Sequence, residues 1–172
     1  MTLEMSSDFT IRIATPNDEL AVSALLEASY SVLMGSGYDP ATLSAVLPVI
    51  TRANPKLLLS GTYYVAEAAS HRIVGCGGWT HEQPGNGDIK PELGHIRHFA
   101  THPDWIGQTI GRSIYAVCEQ AARSAGMSYF ECYSSLNAEG FYAALGFETI
   151  RRIEVRMGNN EMLPSILMRR SI

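Results

Sequence analysis

The sequence predicts a single α/β domain over residues 1–172, built on a mixed, mostly antiparallel central sheet with helices on both faces. Seven segments read as strands, several of them joined by short polar connections of the kind that close hairpins. Helical segments fall between them in the order β-α-α-β-β-β-α-β-α-β-β, a pattern that buries helix stripes on a sheet. A chain of 172 residues with 46% hydrophobic and 17% charged residues has enough apolar material for one sizeable core and lies away from the composition of disordered chains.

From the N-terminus, Phe9, Ile11 and Ile13 alternate with Thr10 and Arg12, the period of a half-buried strand over Phe9 to Ala14. Thr15-Pro16-Asn17-Asp18 follows, with a cap hydroxyl, a proline at the first helical position and an acid able to reach back to the cap N–H. This predicts a helix from Pro16 to about Met34. Gly35, Gly37 and Asp39-Pro40 end it, and Pro40 to about Ala53 reads as a second helix with Leu43, Val46, Leu47 and Ile50 on one face. Thr62 to Ala68 and Arg72 to Glu82 form a hairpin through Ala69-Ser70-His71. After the loop Gln83 to Pro91, with Pro84, Gly85 and Gly87, a third long strand runs from Glu92 to Thr101. Ile110, Ile114, Val117, Cys118, Ala121 and Ala125 then repeat at helical spacing over Gly107 to Ala125, with Gly126 as the stop. A strand covers Ser128 to Tyr133. Asn137 is the expected cap of a short helix, stapled by Leu136 and Phe141 and closed by Gly146. Phe147 to Met157 and Met162 to Arg170 are the last two strands, joined across Gly158-Asn159-Asn160.

Thirteen Lys and Arg against 17 Asp and Glu give a net charge of −4, so no overall basic field exists to neutralise a phosphate backbone, and nucleic acid is not an expected partner. Cys76, Cys118 and Cys132 lack metal-ligand spacing, and their odd number fits a reducing cytoplasm; no metal is expected. Met1 to Thr10 has no basic start leading into an apolar stretch, and no run reaches the roughly 18 apolar residues of a membrane span. The expectation is a cytoplasmic protein without a membrane partner.

The segment His102 to Arg112 joins a strand to a helix through Gly107 and Gly111, which lets successive backbone N–H groups converge at the helix start, a setting suited to a pyrophosphate. Together with the strand His95 to Thr101 and the later Asn137-Ala138-x-x-Phe141-Tyr142-x-x-x-Gly146-Phe147, this loop resembles the GNAT superfamily of acyl-CoA-dependent N-acetyltransferases over Gly94 to Ile150. Two positions depart from that pattern: Ile106 stands where Arg or Gln is usual, and Thr109 where Gly is usual, so that Thr109 must either hold negative φ or carry strain. The resemblance implies an acetyl-CoA co-substrate, held by Gly107, Gln108, Thr109, Ile110, Gly111 and Arg112 at the phosphates and by Phe99, Ala100, Thr101 and Asn137 along the pantetheine. It also implies a break in pairing near Phe99 to Thr101 that exposes N–H donors to the thioester oxygen.

Acetyl transfer to an amine needs a base, because an ordinary alkylamine has a pKa of about 10.4. The strand Glu92 to Thr101 offers His95 first and Glu92 second, and period-two alternation places His95, Arg97, Phe99 and Thr101 on one face with Glu92, Ile96, His98 and Ala100 on the other. His98 is read as a packing residue, and His81 or Glu82 could anchor a water relay instead. Tyr142 matches the family's proton donor to the departing thiolate. Cys76 among Gly75, Gly77 and Gly78 is read as structural, and Tyr30, Met34 and Tyr38 as either acceptor-pocket or core residues. The expected function is acetyl transfer by direct attack on a small-molecule or peptide amine. The alternative is a CoA-binding regulatory or interaction module that has lost transfer. A homodimer is the commonest oligomer, and the C-terminal hairpin could pair across its two-fold axis.

Overall fold

A computed structural model describes residues 8–172, so most of the segment Met1 to Thr10 judged for a targeting signature lies outside the described residues. The strands are β1 (Phe9–Ile13), β2 (Tyr63–Ala68), β3 (Ile73–Thr80), β4 (Leu93–Thr101), β5 (Tyr129–Ser135), β6 (Glu148–Arg156) and β7 (Met162–Ser171). They form one sheet in the order β1-β2-β3-β4-β5-β7-β6. The helices are α1 (Glu19–Leu33), α2 (Pro40–Ile50), α3 (Pro55–Leu59), α4 (Ile110–Ser124) and α5 (Glu139–Ala144). This is the expected mixed, mostly antiparallel architecture, and β4 with β5 is its parallel pair. Among the described residues no helix is long and apolar enough to cross a membrane.

The second helix stops at Ile50, short of the expected Ala53, and a further short helix, α3, follows. Its start is local chemistry: Asn54 Oδ1 accepts from the Lys56 N–H at 3.0 Å, and Pro55 occupies the first position, where no N–H is needed. The two sheet faces are covered by different helices. Ile110, Ile114, Cys118 and Ala122 of α4 pack on Tyr64, Ala66, Ile96 and Phe130. Val22, Leu25 and Leu26 of α1, with Leu57 and Leu58 of α3, pack on Tyr63, Val65, Cys76 and Ala100. Each such side chain taken fully from water contributes about 1.5–3 kcal/mol. The glycines of β3 make this packing possible: a Cβ on Gly75 would fall on Ile110 Cγ2, and one on Gly77 would lie 2.6 Å from the Phe99 ring.

The parallel pair is short. It joins Leu93 to Tyr129, Gly94 to Phe130 and His95 to Glu131, and from Ile96 onward β4 and β5 diverge. Each remains held on its other side, β4 by β3 through Thr101 and β5 by β7 from Tyr129 to Ser135. The sheet is therefore forked at its centre.

The entry to α1 is tied to the first strand. Thr15 N–H donates to Asp18 Oδ2 at 2.8 Å, and Arg12 forks onto both oxygens of Asp18 at 2.8 and 2.9 Å while its Nε reaches Glu67 at 2.6 Å. Arg12 thereby holds the buried Asp18 carboxyl below its usual range. Replacing Asp18 with Ala is expected to lower stability by about 1–2 kcal/mol at neutral pH, the Arg12 contribution being moderated by solvent. Because the folded pKa is depressed, this stabilisation is complete above about pH 4 and is lost as the pH falls below it. Urea unfolding of both proteins at pH 7 and pH 3 checks this: the difference between them should shrink in acid.

Candidate active site

The fork is shaped by a bulge in β4. Cys76 pairs with Ala100 and Gly78 with Arg97, so Gly77 alone stands against His98 and Phe99. His98 takes φ of +53°, and two tyrosine hydroxyls capture the neighbouring carbonyls: Tyr63 donates to His98 O and Tyr30 to Phe99 O, each at 2.9 Å. The extra residue reverses the side-chain alternation, which corrects the simple period-two reading. His95 and Arg97 share the face of Thr80, whose Oγ1 accepts from Arg97 Nη1 at 3.0 Å. Beyond the bulge, Phe99 and Thr101 turn to the α4 side, where Phe99 meets Tyr142 at 6.3 Å between ring centroids. Ala100 faces α1 and α3.

On the α4 side the fork opens into a cavity of about 750 Å³. Phe99, Ala100, Thr101, Gly107, Thr109, Ile110, Gly111, Arg112 and Asn137 all line it, and Gln108 stands exposed outside it. Gly107 has φ of +84°, and Thr109 resolves its two alternatives by adopting the strained one, φ +65° and ψ +11°. The N–H groups of Ile110, Gly111 and Arg112 open α4 and have no intrahelical acceptor. Gly111 is needed for close approach, since a Cβ there would lie 3.0 Å from the Phe141 ring. The Ile106 side chain is 53% exposed at the rim.

Asn137 does not cap α5. It sits inside the 3-10 turn Leu136–Ala138, and its Oδ1 is buried with no hydrogen-bond partner. Of the two roles the sequence offered, cap of its own helix and contact to the pantetheine, the intervening turn removes the first, and Asn137 lines the cavity.

A second chamber, of about 190 Å³, lies within the fork itself, and Tyr30, Phe99, Ser135, Ala138 and Tyr142 line both spaces. Tyr142 is 7% exposed, and among the described residues its hydroxyl has no hydrogen-bond partner. Burial, followed by the neighbouring Cys132, pushes its pKa well above the ordinary phenol value, so it is protonated at neutral pH.

Neither residue proposed as base from the sequence reaches these spaces. His95 is 1% exposed, lines neither chamber, and has both ring nitrogens unpartnered; burial, then the charge of Arg97, lowers its pKa to about 4. Glu92 lies before the closed end of the fork and accepts from Ser128 Oγ at 2.9 Å. His81 and Glu82 are exposed outside both chambers. The imidazole that does line the inner chamber is His98, which the unbulged alternation could not place. Its Nε2 lies 2.8 Å from Ile50 O, which assigns the proton to Nε2 and leaves the Nδ1 lone pair free to accept. Burial lowers its pKa below 6.5 and keeps it neutral. Cys76 is fully buried with its thiol pushed up to about 12, which makes it a core residue. Among the described residues no three His, Cys, Asp or Glu side chains cluster as metal ligands do.

Residues 60–149, just over half the chain, match the family model of the acetyltransferase (GNAT) domain, and the chain belongs to the GNAT acetyltransferase family. Solved structures share the fold along its full length. A GCN5-related N-acetyltransferase from Rhodopseudomonas palustris superposes with a TM-score of 0.78 at 23% identity, covering 100% of both chains. PaiA N-acetyltransferase from Thermoplasma acidophilum, in complex with coenzyme A, gives 0.67 at 13% identity over 98% of this chain and 100% of its own. N-acetylglutamate synthase from Neisseria gonorrhoeae, complexed with coenzyme A and N-acetyl-glutamate, gives 0.61 at 18% over 96% of this chain and 35% of its own. Comparison with curated protein sequences finds no match.

The left-handed Thr109 supplies a test of the loop. A side chain there costs about 1–2 kcal/mol, and glycine's extra chain entropy returns roughly half of that. Thr109→Gly is therefore expected to raise stability by up to about 1 kcal/mol in urea unfolding. A loss of that size would show that Thr109 is not held at positive φ.

Proposed function

We propose that this protein transfers the acetyl group of acetyl-CoA to an amine by direct attack in a ternary complex, with no covalent enzyme intermediate. The observation that carries the reading is the Tyr142 hydroxyl, protonated, without a protein partner and set where the α4-side cavity meets the inner chamber.

The α4-side cavity suits coenzyme A in its polar chemistry. The N–H groups of Ile110, Gly111 and Arg112 and the positive end of α4 would hold the pyrophosphate, with the Arg112 side chain adding charge at the rim. Asn137 lines the cavity, and its Oδ1, buried without a protein partner, would accept from a pantetheine amide N–H after a small side-chain rotation toward the cavity. The edge of β4 released from β5 after His95 can accept the pantetheine as a further strand, with backbone N–H groups of Phe99 to Thr101 available to the thioester oxygen.

The acceptor amine must lose its proton before it attacks. His98 Nδ1 is the acceptor that faces the inner chamber, and its lowered pKa leaves it unprotonated, and so able to act, to below pH 6.5. As the nitrogen–carbon bond forms and the carbon–sulfur bond breaks, Tyr142 donates its proton to the leaving thiolate; the cationic nitrogen of the adduct gives up a proton that returns to Tyr142, and the proton taken by His98 passes to solvent, so the products are the amide, the CoA thiol and one proton. A phenol is a weak acid, so this donation depends on the dryness of the chamber, where a bare thiolate is poorly solvated.

A CoA-binding module without transfer remains the second reading, favoured by Thr109 and Ile106 in the loop. Steady-state release of the CoA thiol over a panel of amines, paired with calorimetric binding of acetyl-CoA, separates the two. Tyr142→Phe is expected to lower kcat by roughly 10²-fold while leaving acetyl-CoA affinity within about twofold. Equal losses in kcat and affinity would remove Tyr142 as the acid, and binding without turnover on any amine would favour the second reading.

A further inference from the structure

A third space, of about 900 Å³, opens from the inner chamber on the side away from the α4 cavity, and Tyr133, Val155 and Met157 line both it and the chamber. It is the route by which an acceptor would meet the thioester if coenzyme A occupies the α4 side. Its charge runs against that of the molecule. The whole chain carries −4, yet Arg97, Arg151, Arg152 and Arg156 line this cleft against one acidic residue, Glu154.

Two of these arginines line the cleft from different strands, Arg97 from β4 and Arg151 from β6. Arg97 is half-buried on β4, one residue before the bulge; its Nη1 donates to Thr80 Oγ1, and among the described residues no carboxylate lies within 4.0 Å of it. Arg151 and Tyr133 both pair in register with Leu167, from either side of β7, so they share one face of the sheet, the face that also carries Ile153 and Val155 into the cleft. Burial lowers the Arg97 pKa and the nearby charge of Glu82 offsets this only in part; a guanidinium withdrawn from water with no carboxylate in contact is costly unless an anion completes it, and its planar fork of donors suits an oxyanion.

We propose that the cleft selects an acceptor amine that also carries a carboxylate or phosphate, with Arg97 as the principal anion-binding residue and Arg151 as its partner, so that the anion anchored beside the chamber directs the amine inward past Tyr133. This deepens the acetyltransferase reading and rests on it for the turnover assay.

The test uses matched pairs: β-alanine against β-alaninamide, and phosphoethanolamine against ethanolamine, with spermidine as a cationic amine. The expected result is a kcat/KM at least about tenfold higher for one or both acid-bearing members than for their neutral partners, the fold-change of one charge-assisted contact. The pair that shows it distinguishes carboxylate from phosphate. Arg97→Gln should reduce that preference at least about tenfold, and Arg151→Gln, on the exposed edge strand where folding is less at risk, should reduce it severalfold. Equal use of both members, preference for spermidine, or a preference untouched by both variants would overturn the proposal. Calorimetric binding of the same compounds to the CoA-loaded protein keeps the two readings apart. Acid-bearing amines that bind through Arg97 yet are not acetylated support the cleft and defeat transfer. Acetylation indifferent to the acid group defeats the cleft alone.

Discussion

The three-residue parallel pairing of β4 with β5 is the constraint from which the site follows. Had that ladder continued past His95, the sheet would be closed, and Tyr142, Asn137 and the first turn of α4 would face a filled wall. Two antiparallel ladders, β3 to β4 and β5 to β7, hold the arms of the fork apart. The cost lies in the edge of β4 that loses its neighbour, and buried backbone groups need partners. Tyr30 and Tyr63 meet part of that need at the carbonyls of Phe99 and His98. The remaining edge is available to a substrate that carries amides of its own.

Around the fork, polar groups with unused hydrogen-bonding capacity accumulate. Asn137 Oδ1, the Tyr142 hydroxyl, His98 Nδ1 and Arg97 lie on one path, from the α4 cavity through the inner chamber to the arginine-lined cleft. Burial alone would disfavour each of them. A bound thioester, an amine and an anion would satisfy all four at once, which is why the reaction and the acceptor class emerge from the same geometry. His95 shows the contrasting case. It too is buried and unpartnered, but it faces no cavity, and its lowered pKa expresses burial among Arg97 and Lys90.

Element order and most boundaries were legible because they rest on local signals: alternation in β1, the Thr15-Pro16 start, Gly126 and Gly146 as stops, and the polar Gly158-Asn159-Asn160 turn. The family pattern in the loop and around Tyr142 was legible for the same reason. What failed depended on neighbours in space. One inserted residue at His98 and Phe99 reverses every later side chain of β4, and no residue type there announces it, so His98 was passed over and His95 promoted. The choice of Asn137 as a helix cap was locally reasonable, yet the 3-10 turn displaced it by one position. Asn54-Pro55 was a readable helix start that the reading of α2 overran. The arginine cleft draws on β4 and β6, strands separated in the sheet by β5 and β7, so no local pattern in either strand announces it.

The central claim is that the fork between β4 and β5 is where the acyl donor binds. Hydrogen–deuterium exchange of the protein with and without acetyl-CoA, at about 100 times its dissociation constant, tests it directly, since binding then stabilises the fold by roughly 2.7 kcal/mol. Protection in excess of the global change should concentrate in Phe99 to Thr101 and Ile110 to Arg112, two backbone segments that line the cavity. Protection spread evenly over β1 and β2, or absent from both segments while acetyl-CoA is bound, would contradict the account.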